Sequence, residues 1–196
     1  RALTAHPKEL EAWMMKADLM RNQQQFPEAM AAYQKILELD PSHIGARGAR
    51  ASLNLSLDKP AEAQKDVDGI RKLAKNHPLG SYLQALIHFR SGKFREAQAA
   101  LQDMLRVTPD YPQARLLLGA THFALGTFGQ AEHNLTQFVR AYPRNIYARK
   151  LLAATLIEQN QGKRALEVIQ PMLRKDLQDT TVLALASDAH MKSGEY

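Results

Sequence analysis

His88, His122 and His190 are the first residues to weigh as chemistry, because imidazole serves both as a metal ligand and as a general base. Their spacing argues against a shared ion. His88 and His122 stand 34 residues apart, and His190 follows at twice that interval. Helical units repeating at such a period stack about 10 Å apart, whereas zinc ligands sit about 2 Å from one ion. The three are therefore read as packing residues, and His6, His43, His77 and His133 have no ligand-like spacing either. There is no His-Glu-x-x-His, no phosphate-cradling glycine loop ending in Lys-Ser/Thr and no dinucleotide fingerprint. Glu158, Glu167 and Asp176 share no face that would make an acid/base pair. Asn54-Leu55-Ser56 and Asn134-Leu135-Thr136 fit the glycosylation pattern but fall in expected helices. The sequence reads as non-catalytic, with no metal site and no cofactor.

Composition narrows the class further. Of 196 residues 45% are hydrophobic and 23% charged, an ordinary balance for a globular or solenoid chain. No apolar run is long enough to span a bilayer. Cysteine is absent, which excludes disulfides and thiolate metal sites within these residues. The net charge is +6, and much of the excess falls late, at Arg140, Arg144, Arg149, Lys150, Lys163, Arg164, Arg174 and Lys175 against Glu158 and Glu167. Such a surface is either a solvated face or an attractor for an acidic partner.

The elements behind these side chains follow from one period. Gly92-Lys93-Phe94-Arg95-Glu96-Ala97 returns 34 residues later as Gly126-Thr127-Phe128-Gly129-Gln130-Ala131. Ala29, Ala63, Ala97, Ala131 and Ala165 keep that interval, as do Ala17, Ala51, Ala85, Gly119, Ala153 and Ser187. Two small registers per unit mark where paired antiparallel helices come closest, since a larger side chain would overpack the contact. A proline closes most units, because it lacks the amide proton and disfavours helix just before it. Trp13, Ala17, Phe26, Ala29, Tyr33 and the ending Ile36-Leu37-Glu38-Leu39-Asp40-Pro41 resemble the tetratricopeptide (TPR) consensus, and the 34-residue period agrees. The expected fold is all-α. It comprises five helix-turn-helix repeats at about 9–41, 43–76, 79–109, 113–143 and 147–176, with helix A of a sixth at 180–193, in a single array. The resemblance implies a right-handed superhelical solenoid, with A helices lining a concave groove.

Several local expectations follow. Repeat two departs most: Arg47 holds the Trp position, Pro60 the aromatic turn position, and the closing proline comes late, at Pro78, so its second helix is expected to run long. Gly92 and Gly126 sit at the interhelix turn, where positive φ suits glycine; Asn160 is the next most tolerant choice, and Gln24 and Asp58 depart from the pattern. Pro171 predicts a kink near Gln170 or an early helix end. Pro7 reads as the stop of a preceding repeat, and Gly194-Glu195-Tyr196 as a turn, so the chain is expected to belong to a longer array whose targeting signals lie outside it.

In TPR arrays ligands contact helix A at fixed positions. Carried over, these are Met14, Asp18 and Arg21, then Gly48, Ser52 and Leu55. Further along come Leu79, Tyr82, Leu86 and Phe89, then Leu116, Ala120 and Phe123, then Tyr147, Lys150, Ala154 and Ile157, with Arg90 nearby. The resemblance thus implies a partner-binding groove at Leu79, Tyr82, Leu86, Phe89, Arg90, Leu116, Phe123, Tyr147 and Lys150. The two cations would orient an acidic group. The alternative is that these side chains pack between neighbouring A helices. The carboxylate clamp of chaperone-binding TPR domains is absent, since Met14, Asp18, Ser52, Tyr82 and Leu86 hold its places. Nucleic acid is disfavoured by the few cations lining the groove.

His77-Pro78-Leu79-Gly80-Ser81-Tyr82-Leu83-Gln84-Ala85-Leu86, Tyr147 to Thr155 and Ala165-Leu166-Glu167-Val168-Ile169-Gln170-Pro171 resemble the TPR-repeat lipoproteins of bacterial exosortase (PEP-CTERM) and exopolysaccharide loci. That resemblance implies a scaffold for a protein or peptide partner in polymer export or protein sorting, on the periplasmic side of the cell envelope. A membrane would be engaged only through an anchor outside these residues. Without it the expected compartment is the cytoplasm. A competing expectation is that the basic C-terminal half binds an anionic exopolysaccharide.

Overall fold

The structure, a computed structural model, describes residues 7–173 and 179–193. His6, Arg174, Lys175, Asp176 and the turn at Gly194-Glu195-Tyr196 lie outside the described residues. The described residues form eleven α-helices and no strand. In order they are α1 (Pro7–Asn22), α2 (Phe26–Leu39), α3 (Ile44–Ser56), α4 (Pro60–Leu73) and α5 (Pro78–Arg90). Then follow α6 (Phe94–Val107), α7 (Pro112–Ala124), α8 (Phe128–Ala141), α9 (Ile146–Glu158), α10 (Gly162–Leu173) and α11 (Thr180–Ser193). The chain divides into two compact units, residues 1–91 and 92–196.

Each helix is too short to be stable alone, so its ends and its buried face decide where it stands. At the ends of the odd-numbered helices the chain repeats one solution. After α1, α3, α5, α7 and α9 it turns through a left-handed residue, at Gln24 (φ 60°), Asp58 (φ 56°), Gly92 (φ 71°), Gly126 (φ 70°) and Asn160 (φ 58°). At four of these turns the next amide donates back five residues, as from Gln25 N to Met20 O and Gln161 N to Leu156 O, closing the helix end. Gln24 and Asp58 thus adopt the glycine conformation despite their side chains. Left-handed backbone costs a non-glycine residue about 1–2 kcal/mol, part of which glycine returns as unfolded-chain entropy. Gln24→Gly and Asp58→Gly are each expected to raise unfolding free energy by about 0.5–1 kcal/mol in denaturant titrations.

Helix entry is also periodic. His43 Nδ1 accepts from Ala46 N, His77 Nδ1 from Leu79 N and Asn145 Oδ1 from Ala148 N. Asp179 Oδ1 accepts from Thr181 N and Val182 N at the start of α11. His43 and His77 are therefore helix caps.

Two expectations about repeat two need correction. Repeat two does not have a long second helix: α4 has 14 residues, as do α2, α6 and α8. Pro78 does not close α4 but opens α5, the first helical position, where a missing amide proton costs nothing. Pro7 likewise is the first residue of α1. Pro171 lies inside α10, which continues to Leu173. Proline there leaves the Glu167 carbonyl without its helical donor, and one residue on, the Val168 carbonyl accepts from Arg149 Nη1 at 2.8 Å.

The small registers are buried as contact points. Ala17, Ala29, Ala51, Ala63 and Ala85 in the first unit are fully buried, as are Ala97, Ala131, Ala153 and Ala165 in the second. At Gly119 a β-carbon would stand 2.7 Å from Leu135 Cγ, so even alanine would not fit without a shift. Ser187 is exposed, since no helix follows α11 among the described residues. The first unit holds two cores, one around Tyr33, Ile36 and Leu53 and one around Leu55, Val67, Ile70 and Leu83. The core of the second unit gathers Leu135, Leu152, Leu156, Ile169 and Val182.

Candidate functional site

The candidate site is the set of A-helix side chains at fixed register, and each unit presents its own. In the first unit α1 brings Asp18 and Arg21, which form an ion pair at 3.3 Å. Tyr33, buried in α2, donates its hydroxyl to Asp18 Oδ1 at 2.9 Å. Burial and then that carboxylate push the Tyr33 phenol up to about 12, so it stays protonated and keeps donating at neutral pH. A carboxylate held in this place opposes a chaperone-tail clamp.

The α5 side chains rest on α3 and α4. Leu79 lies on Gly48, where a β-carbon would meet Leu79 Cγ at 3.0 Å. Leu79, Tyr82 and Leu86 pack half-buried against the α3–α5 core. Phe89 is half-buried and Arg90 exposed. Arg90 Nη1 donates to Leu55 O at 2.8 Å. That carbonyl lies in the last turn of α3, at the negative end of its dipole. Arg90 is thus engaged within the protein.

In the second unit Leu116 and Phe123 pack half-buried against the core, and Phe123 meets Phe128 edge-on at 5.7 Å. Ala120 and Ile157 are buried. Tyr147 is 58% exposed, the most open aromatic of the set. Lys150 Nζ pairs with Asp179 Oδ2 at 2.6 Å. The ammonium and the α11 amides hold the Asp179 carboxyl below the usual carboxylate range. Both cations expected to orient a ligand, Arg90 and Lys150, therefore already have partners. The apolar side chains behave as the sequence left open: Leu79 packs between helices, while Tyr147 stands out to solvent.

The histidine register resolves as packing and hydrogen bonding at His88 and His122, whereas His190 is exposed on α11 and does not pack as expected. His88 Nε2 lies 3.3 Å from Gln84 Nε2, within α5. His122 is buried, with Nδ1 2.8 Å from Thr127 Oγ1. Burial lowers its pKa below the ordinary 6.5. A depressed histidine pKa means the unfolded chain takes up the proton first, so the stability it contributes is full above about 6.5 and is lost as pH falls below it. Melting of the second unit is therefore expected to fall more steeply with acid in wild type than in His122→Gln, followed from about pH 7.5 to about 5.5. Among the described residues no group of His, Asp and Glu is gathered closely enough to hold a metal ion.

Several of the late basic residues are engaged. Arg149 donates to Pro143 O and Val168 O, and Arg164 pairs with Glu132 at 2.7 Å. Arg140 and Arg144 are exposed. Sequence reading missed two arrangements. Arg47, Arg115 and Arg149, in one register, each donate to a proline carbonyl six residues back, at Pro41, Pro109 and Pro143. Buried Asp66 in α4 accepts both arms of Arg50 at 2.9 and 2.7 Å.

An array of paired helices with small contact registers and A-helix side chains at fixed positions defines a repeat scaffold, and family models agree. Three, each described as tetratricopeptide repeat, match residues 10–43, 82–131 and 122–189. The chain is a tetratricopeptide-repeat protein. No curated protein matches it. Among solved structures, PilW, described as a widely conserved type IV pilus biogenesis factor, aligns with TM-score 0.83 at 21% identity, over 97% of this chain and 88% of that one. Pseudomonas aeruginosa PilF aligns with TM-score 0.80 at 15% identity, over 96% and 86%. YrrB, described as a TPR protein with an unusual peptide-binding site, aligns with TM-score 0.60 at 17% identity, over 88% and 89%. At these identities the likeness shows the fold. Among the described residues no helix is long and apolar enough to cross a membrane.

Proposed function

We propose that the chain is a non-enzymatic scaffold that takes a peptide or protein segment on the A-helix faces of its units. In the first unit the face is Leu79, Tyr82, Leu86, Phe89 and Arg90; in the second it is Leu116, Phe123, Tyr147 and Lys150. The supporting observation is that apolar and aromatic side chains at this register stay partly open in α5, α7 and α9, with Tyr147 58% exposed. Half-open aromatics on a rigid helical support are favoured anchors at interfaces. Because Arg90 and Lys150 are engaged, apolar burial rather than charge would carry the affinity. The fold class supports the same reading, and one structural neighbour is described as having a peptide-binding site.

The finer context rests on the sequence phrases around Tyr82, Tyr147 and Pro171: a bacterial system for exopolysaccharide export or exosortase-dependent sorting, on the periplasmic side of the envelope. The competing reading, an anionic exopolysaccharide on the basic C-terminal half, keeps exposed Arg140 and Arg144 but finds Arg149, Lys150 and Arg164 engaged.

A photo-crosslinker at Tyr82 or Tyr147, activated in envelope extract, would identify the bound segment. That segment is then expected to bind Tyr82→Ser/Tyr147→Ser at least about 10-fold more weakly than wild type. Equal affinity for the folded variant would overturn the face assignment. Release by salt, with an acidic polymer as the captured species, would move the function to the basic surface.

A further inference from the structure

Apart from Leu73 at the end of α4, the large apolar side chains left open to solvent fall into two settings. Met15 and Leu19 lie on α1, and Leu183 and Met191 on α11, the outermost described helices. The registers of Met15 and Leu19 are buried in inner helices, at Leu83 and Leu117 and at Ile87, Thr121 and Thr155, so an adjoining helix would account for those two. Val107, Tyr142, Ile146 and Tyr147 differ. They stand at the α6–α7 and α8–α9 connections, inside the second unit, where no added repeat at either end would cover them. Val107 is 80% exposed and Ile146 57%.

These connections form one edge. Pro109, Asp110, Tyr111 and Pro112 of the first face Ala141 and Tyr142 of the second across a cleft of about 380 Å³. The edge is cationic. Arg140 and Arg144 flank Tyr142, are exposed, and carry no ion pair among the described residues. Arg115 and Arg149 are held against the carbonyls of Pro109 and Pro143 and add to the positive charge of the edge from fixed positions. Arg106 is matched by Asp103, and Asp110 lines the cleft beside Arg115. Asp179, already paired with Lys150, lines a second cleft with Arg144, Ile146 and Arg149. That leaves exposed Arg140 and Arg144 as the unpaired cations.

We propose that this edge docks on an anionic lipid surface. Aliphatic tips beside a tyrosine and unpaired arginines are what the headgroup layer accepts. The aliphatic groups enter the acyl boundary, the aromatic ring sits at headgroup level and the guanidinium groups meet anionic lipid. A soluble polysaccharide offers no apolar layer to bury Val107 and Ile146. A folded protein partner would need a shaped counterpart to side chains spread along two connections, which a fluid surface does not.

The test is flotation of the purified chain with vesicles of phosphatidylcholine alone or mixed with phosphatidylglycerol. The expected result is binding only to the anionic vesicles, weakened by salt. Arg140→Glu/Arg144→Glu is expected to lower vesicle affinity at least about 30-fold, and Val107→Ser/Ile146→Ser to lower it measurably at unchanged charge, with helicity of both variants matching wild type. No binding to anionic vesicles at low salt would overturn the proposal. So would retention by the folded arginine variant. Competition by soluble alginate with no effect of Val107→Ser/Ile146→Ser would show a general polyanion site instead, and also overturn it. None of the four substituted residues belongs to the proposed peptide-binding face, so the two proposals fail separately.

Discussion

Replacing Asp66 with alanine is expected to destabilise the first unit by about 3 kcal/mol, the low end of the cost of breaking a buried pair. Asp66 is 2% exposed and accepts from Arg50 at 2.9 and 2.7 Å, with Arg47 at 3.8 Å. Arg50 also donates to Gln34, and Arg47 to Pro41 O at 2.7 Å, so one carboxylate ties α2, α3 and α4. Its removal leaves two guanidinium groups facing each other in a partly buried site. Their side chains keep about a fifth of their exposure, at 20% and 22%, so water can relieve part of the cost, which is why the low end applies. The check is a double-mutant cycle in denaturant: Asp66→Ala and Arg50→Ala singly, then together. Expected is a coupling of about 1–3 kcal/mol, with the double variant less destabilised than the sum. Additive losses would mean that the pair contributes packing volume and no specific interaction.

That cluster is legible only as a pair. Asp66 stands in the register of Ala32 and Asn134, and Arg47 in that of Trp13; Arg47 alone read as a departure from the repeat, and Asp66 drew no notice. Together they are a substitution of one contact by another, and a one-residue-at-a-time consensus comparison cannot register a pair. The fold itself was legible because it depends on backbone approach, which only small residues permit, and those recur at a fixed interval. Proline was half legible. Except at Pro171, inside α10, it marks a helix boundary, but the same missing amide proton suits both the residue after a helix and the first residues of the next. Pro41 takes the first role and Pro78 the second. The five left-handed turns were legible as positions and not as residues. Tertiary packing holds Gln24 and Asp58 in a conformation their own preference disfavours.

The candidate face was legible as a list of positions, because helix register decides which side chains point one way. What each side chain does there was not. Leu79 fills the space left by Gly48, Arg90 reaches the Leu55 carbonyl, and Lys150 reaches Asp179. Each partner lies about 30 residues away, roughly one repeat, and only the packing of adjacent repeats brings it within reach. Periodicity predicts where a cation stands but not whether the neighbouring repeat supplies its counter-charge.

Gly162 carries the second large expected effect. It occupies the register of Phe26, Phe94 and Phe128, so an aromatic ring is exchanged for no side chain at all. In that space the last turn of α11 rests directly on α10. A β-carbon at Gly162 would overlap the Ala189 carbonyl and stand 2.6 Å from Ser193 N and 2.8 Å from Lys192 C. These are backbone atoms, so no rotamer change relieves the clash and α11 itself must move. Val182, Ala186 and Ala189 are buried by its present placement, and Lys150 and Asp179 tie its start. Gly162→Ala gains up to about 1 kcal/mol of helix propensity but is expected to lose about 1–3 kcal/mol to overpacking, a net loss borne by α11. Hydrogen exchange should show α11 amides losing protection first, with α1 to α5 unchanged. Gly129→Ala is the control, because nothing lies within 4 Å of its added carbon; it should be neutral or slightly stabilising. Full α11 protection in Gly162→Ala would mean that α11 can slide along α10 without loss, and that its last turn is not fixed by this contact.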